Sequence, residues 1–394
     1  MKNLFYPRFC LLMVALFALN SHAEEQIQIS EPNWVAPSDA VPPEFSLRPS
    51  NNNASIALHE GRLYVAWRNA PTHFASKKTK IFVASSPDMG KTWVAEHEIC
   101  LQTDMREPFL ISVKGQLILQ FFEGGSNPFT FTPKHMLRTL RRGLGDWTPL
   151  EAFGTPGEVP WEVKVRNGQV YMTSYLGDHY SGGKSKIDVH FSVSPDGLNW
   201  KPVNPSAPFV YEGGVSEVGF EYTEDGTLWG VTRNEDGDDS GFGSHVVSST
   251  HWGTDPWVIP SVSNPNRYDS PRMFRHGKDL YLVARRDING PFWKASQNLP
   301  FDVQKWSNLV QYSLRRKRTA LYKIDQISRE VKYVMDLPSA GDNAFPSIVQ
   351  KDADTFLVAN YTSPLNKTKY NWLQGQLSKK GTGIYIVEIH FTGK

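Results

Sequence analysis

Between residues 55 and 68 the chain reads SIALHEGRLYVAWR: apolar and polar or small residues alternate, a polar pair with a glycine interrupts, and the alternation resumes. Period-two alternation broken by a residue that tolerates positive φ predicts a β-hairpin. The same pattern returns in FLISVKGQLILQFFE (109–123), EVKVRNGQVYMTSY (162–175), EVGFEYTEDGTLWGVTR (217–233), RMFRHGKDLYLVARR (272–286) and SIVQKDADTFLVANY (347–361). The turn residues are Gly61, Gly115, Gly168, Gly226, Gly277 and Asp354, spaced by 54, 53, 58, 51 and 77 residues. Glycine suits the left-handed turn at five of them, and aspartate is the tolerable sixth.

One hairpin cannot bury both of its faces. Radial repetition of four-stranded sheets solves this, because each blade packs on its neighbours. The pattern predicts an all-β protein, a six-bladed β-propeller forming one domain over 24–394. A solenoid of hairpins would call for more regular spacing and capping repeats. The long gap before the sixth copy marks an insertion, DINGPFWKASQNLPFDVQKW (287–306), whose aromatics are expected to pack on something, as a lid over the central site or as a plain loop.

Composition agrees with short strands and many turns: 12% aromatic residues, 27 prolines and 30 glycines. The first 23 residues carry Lys2 and Arg8, an apolar run from Phe9 to Leu19 and small residues up to Ala23, the layout of a secretory leader. An exported protein, periplasmic or extracellular, is expected, without membrane insertion. Removing that leader takes the basic count from 42 to 40 against 40 acidic residues. This neutral balance offers no footprint for nucleic acid, and a monomer is expected. Loss of Cys10 leaves Cys100, read as a small buried residue at a strand end. The basic run RRKR (315–318) reads as a solvated hairpin rim, and the acidic NEDGDDSG (234–241) as a solvated loop without full EF-hand spacing. No motif asks for a cofactor or a metal.

In a propeller the starts of the inner strands and the ends of the second strands meet around the axis. The repeat therefore gathers Asn53, Glu107, Glu162, Glu217, Asp269 and Asn343 with Arg68, Glu123, Tyr175, Arg233, Arg285 and Tyr361. Ionisable residues at equivalent positions of a repeat serve a core badly. Arginine forks bind a carboxylate, and carboxyls pushed to different pKa values act as acid and base. Glu107, Glu162 and Glu217, with Tyr361, are thus candidate catalytic residues. Arg68, Arg233, Arg272, Arg285 and Asp269 are candidate substrate-binding residues, joined by the aromatics Trp161 and Tyr175 and, with less claim on the cleft, Trp67 and Trp293.

SSPDMGKTW (85–93) and SVSPDGLNW (192–200) each follow a strand-like run. Their aspartates suit backbone N–H groups of a turn, their glycines a positive φ, and their tryptophans a cover over the hairpin. These loops resemble the Asp-boxes of sialidases, Ser-x-Asp-x-Gly-x-x-Trp, the second being one residue shorter between Asp196 and Trp200. In that family they are structural, so Asp88 and Asp196 are not counted as catalytic. The resemblance covers nearly the whole chain beyond the leader and implies a glycosidase on an acidic or terminal sugar. In it Glu217 matches the glutamate that polarises a tyrosine nucleophile, and Arg233 one arginine of the carboxylate-binding triad, with Arg285 or Arg272 as another member. The pattern departs at three places. Arg48 and Pro49 come too early for the Arg-Ile-Pro motif, the loop 68–80 has His73 where an aspartate is expected, and Phe345 stands where the tyrosine should. Three readings follow: a glycoside hydrolase with an altered catalytic set; a lyase on uronic acid polymers using Tyr175, Tyr361 or His179 as base; and a binding propeller without turnover.

Overall fold

The computed structural model describes residues 26–291 and 297–393, so the leader and Trp293 lie outside the described residues. It is mainly β, with six sheets arranged as the blades of a propeller. Blade one runs outward from Ser50–His59 through Arg62–Ala70 and Lys80–Ser86 to Val94–Ile99. The inner strands of the next five blades are Asp104–Val113, Val159–Arg166, Glu217–Tyr222, Asp269–His276 and Asn343–Gln350, each paired with its own second strand. Blade four has three strands, and a bridge between Ser248 and Val258 stands where an outer strand would be. Blade six is completed from the other end of the chain: Gln26–Ile29 and Asn33–Ala36 both pair antiparallel with Gly383–Thr392.

Apolar side chains of adjacent blades interleave. Val65, Trp67 and Phe82 of blade one pack with Leu357, Ala359 and Tyr361 of blade six, and Tyr64, Ala66 and Val83 pack with Leu110, Leu119 and Phe121 of blade two. The hairpin turns follow the sequence expectation at Glu60–Gly61, Lys114–Gly115 and Asn167–Gly168, where both residues take positive φ. Blade six differs. Asp354 does not adopt positive φ; it ends a longer loop in which Asp352 accepts from the Asp354 N–H (3.1 Å). The aspartate therefore replaces the glycine in alignment and not in conformation.

At the axis, register shifts interrupt five of the six inner strands: between Asn52 and Ser55, Arg106 and Phe109, Pro160 and Glu162, Asp269 and Arg272, and Ala344 and Ser347. In four of them a non-glycine residue takes a left-handed conformation: Asn53, Glu107, Ser270 and Phe345. Such bulges re-aim side chains at the cost of local strain.

Both Asp-box loops join the third strand to the outer one. Asp88 accepts from the N–H groups of Lys91 (3.1 Å) and Thr92 (2.9 Å), and Asp196 from those of Leu198 and Asn199 (both 2.9 Å). Gly90 and Gly197 take positive φ, and Trp93 is buried in the core. Three expectations about lesser segments are corrected. Cys100 is exposed, one residue beyond the outer strand of blade one. Within RRKR, Lys317 is fully buried against Asp287 (2.9 Å), and burial lowers its ammonium to about 8. In the acidic segment, Asn234, Glu235 and Asp236 are buried because Asp236 holds His179 and Lys305.

The insertion before blade six forms α1 (Phe301–Leu314), and a second short helix, α2 (Trp372–Gln376), lies beside it. Lys305 anchors α1 by donating to Ser181 O (2.7 Å) and Ser185 Oγ (2.8 Å) and by pairing with Asp236 (3.1 Å).

Candidate functional site

A cleft of about 430 Å³ opens where the second strands end. Its lining includes Glu107 and Arg106 from blade two, Tyr175 from blade three, Glu217 and Arg233 from blade four, Arg285 from blade five and Phe345 from blade six. Loops and helices add His73, Phe129, Phe131, His179, Tyr180, Trp306 and Trp372. The insertion thus contributes to the cleft wall through Trp306.

Along one side, acids and arginines alternate. Arg233 pairs with both Glu217 and Glu235 and approaches Asp269 at 3.6 Å. Arg267 bridges Glu235 (3.3 Å) and Asp269 (2.9 Å) and lies over the Tyr312 ring at 4.4 Å. The Ser270 N–H, turned by the left-handed bulge, donates to Glu217 Oε2 (3.0 Å). Burial pushes Glu217 up to about 7; Arg233 opposes the rise, and Asp269, Glu107 and Glu235 add to it. Glu107, aimed at the axis by its own left-handed backbone, accepts from Asn53 Nδ2 (2.9 Å). Burial raises its carboxyl against that hydrogen bond and the charge of Arg272. Burial, then Glu217 and Glu107, hold the Tyr175 phenol well above its ordinary value.

Unlike Arg233, Arg285 makes no ion pair with a carboxylate of the described residues. Its Nε donates to Asn343 O (2.8 Å), its Nη1 to the Tyr312 hydroxyl (2.9 Å), and its buried Nη2 has no hydrogen-bond acceptor among the described residues. The guanidinium faces the rings of Trp372 (5.0 Å) and Phe345 (5.6 Å). An aromatic-flanked guanidinium with an unused donor suits a bound carboxylate.

Opposite stands His73, whose Nδ1 lies 2.8 Å from Asp342. Asp342 also accepts from the Tyr361 hydroxyl (2.9 Å) and Trp372 Nε1 (3.1 Å). Burial lowers the His73 pKa despite Asp342, so the ring is neutral near pH 7. With its Nδ1 proton directed to Asp342, its Nε2 is left as an acceptor. A second pair, His179 on Asp236 (2.9 Å), lies across the cleft with Tyr180 stacked on its ring at 3.7 Å.

The residues expected at the site divide into two groups. Glu107, Glu217, Arg233, Arg285 and Tyr175 share the cleft, with Asp269 beneath Arg233. Glu162, Arg272, Arg68, Tyr361 and Trp161 do not line it. The unbroken pairing that runs back from its hairpin turn sets Glu162 opposite Thr173, two residues short of Tyr175, whereas Glu217 lies opposite Arg233 at its strand end. Glu162 consequently lies in the central channel, paired with Lys164 (2.8 Å), and Arg272 lines that channel with it. Trp161 is buried under the Arg272 guanidinium (4.1 Å) and against Phe345. Arg68 is buried on Asp104 (2.7 Å), which Arg106 also engages (2.5 Å); despite burial, Arg106 and Arg68 hold Asp104 at about 2. Tyr361 is fully buried behind His73, and Trp67 is core, its indole donating to Asn51. Sequence reasoning missed Arg106, Glu235, Arg267, Tyr312 and Trp372, which come from bulges, loops and the inserted helices.

No protein-family model matches this sequence, and no curated protein matches it as a relative. Solved structures do resemble it. A Dyadobacter fermentans protein of unknown function superposes with a TM-score of 0.59 at 14% identity, over 93% of this chain and 99% of that one. Trypanosoma rangeli sialidase gives 0.53 at 14% identity over 87% of this chain, which spans about half (55%) of that protein. The α-L-arabinanase of Penicillium chrysogenum, solved with arabinobiose, gives 0.51 at 13% identity over 92% and 98% of the two chains. At these identities the likeness carries the fold: a six-bladed β-propeller resembling those of glycoside hydrolases.

Proposed function

We propose that the cleft cleaves a glycosidic bond next to an acidic sugar, by hydrolysis. The observation that carries this reading is the placement of two buried carboxyls with raised pKa values, Glu217 and Glu107, in one cleft with Arg285, whose Nη2 is unpaired among the described residues. Arg285 donates to the sugar carboxylate. Glu217, whose carboxyl is pushed up to about 7, gives its proton to the glycosidic oxygen as the bond to the anomeric carbon breaks. Glu107 takes a proton from the water that attacks that carbon. Phe129 and Tyr180 supply faces on which sugar rings stack. The protein acts outside the cytoplasm once the leader, residues 1–23, is removed; N-terminal sequencing of the exported protein tests this.

A second reading has its own support: neutral His73, held by Asp342 in the same cleft as Arg285, is equipped to remove the proton α to a uronate carboxylate. The pair is separated by incubating the protein and Glu217→Gln with sialosides, arabinans and uronic-acid polymers. New reducing ends without ultraviolet absorbance, lost in Glu217→Gln, support hydrolysis. An unsaturated, absorbing product that survives Glu217→Gln and is lost in His73→Ala supports elimination. Binding without turnover by either protein overturns both.

A further inference from the structure

Helix α1 is amphipathic in the reverse sense. The side chains it turns to the body of the protein are Lys305, Asn308 and Tyr312, all buried. Its outer face carries Val303, Trp306, Val310 and Leu314, preceded by Leu299, each between 44% and 57% exposed. Spacings of 3, 4 and 4 residues put the four helical ones in a single stripe along a helix about 21 Å long. Helices of soluble proteins ordinarily turn such a stripe inward, and a continuous exposed one marks a contact surface. Here the polar face is consumed by cleft chemistry: Lys305 holds Asp236, and Tyr312 accepts from Arg285.

We propose that this stripe is covered by the same helix of a second copy, packed antiparallel across a two-fold axis. An isologous contact requires a self-complementary patch, and the stripe has that form. Val303 and Leu314 stand equally far from a midpoint between Asn308 and Leu309, with Trp306 and Val310 on either side of it. Opposite charges close the two ends: Asp302 in the first turn and Arg316 just beyond the last, both exposed. Antiparallel pairing sets each against the other and aligns the helix dipoles favourably. A stripe of this size falls short of the roughly 800 Å² per partner of a standard interface, so the pairing is concentration-dependent. Trp306 also lines the cleft, and the partner's helix therefore borders the route to the site.

The test is sedimentation velocity of the full chain over a concentration series. The wild type is expected to shift toward twice its monomer mass as concentration rises. Val310→Glu is expected to stay monomeric with an unchanged circular dichroism spectrum. Asp302→Lys and Arg316→Glu are each expected to weaken the dimer at least tenfold, and the double reversal to restore it. A wild type that remains monomeric at its highest soluble concentration overturns the proposal. So does a dimer that persists in Val310→Glu, or one that the double reversal fails to restore. Retention of a monomeric wild type on phosphatidylglycerol vesicles would assign the stripe to a lipid surface instead.

Discussion

Glu217 sets the pH behaviour of the cleft. Its carboxyl binds a proton more tightly in the folded chain, at about 7, than at the ordinary 4.5. The stabilisation this supplies is complete below 4.5 and is lost as pH rises through about 7. If Glu217 is the acid, the alkaline limb of kcat/KM falls with an apparent pKa of about 7. Glu217→Gln removes that limb, lowers turnover by roughly 10²–10⁴-fold, and gains Tm relative to the wild type above pH 7. A wild-type profile flat through that range would sink the assignment. Arg285 is tested through KM. A charged hydrogen bond worth about 1.5–3 kcal/mol predicts that Arg285→Gln raises KM for an acidic glycan by roughly 10- to 100-fold, leaving that for a neutral one unchanged.

Among the elements, the axial bulges do most to shape the site. Glu107 is held in a left-handed conformation that glycine adopts freely, and burial penalises its charged form. Glu107→Gly is therefore expected to stabilise the fold by about 1 kcal/mol while turnover collapses, read by a thermal melt beside an assay; a lower Tm would show that the bulge carries no strain. These bulges also mark where the sequence stops being legible. Hairpins announce themselves through alternation and turn glycines, so six blades and the second-strand ends Tyr175, Arg233 and Arg285 could be read directly. A bulge leaves no such mark. The one in blade two brought in Arg106, which no repeat position flagged, while Glu162 lies in the channel because its hairpin pairs it with Thr173, two residues short of the second-strand end Tyr175. The helices are opaque for another reason: Tyr312 and Trp372 reach the site from segments with no counterpart in the other blades.

The whole ring depends on its two ends. Strands Gln26–Ile29 and Asn33–Ala36 are the outer members of blade six, and their partner is the last strand of the chain, Gly383–Thr392. Deleting residues 26–36 should leave that strand with an open edge, lower Tm and promote aggregation on heating, as followed by light scattering; an unchanged melt would mean that blade six is complete without them. The closure also carries a consequence in time. A ribosome adding about 5–20 residues per second finishes the first two strands roughly 20–70 s before their partner, since about 350 residues separate them. For that interval five blades can form in succession while the earliest segment of the chain waits without a place, and the last strand to be made is the one that locks the first.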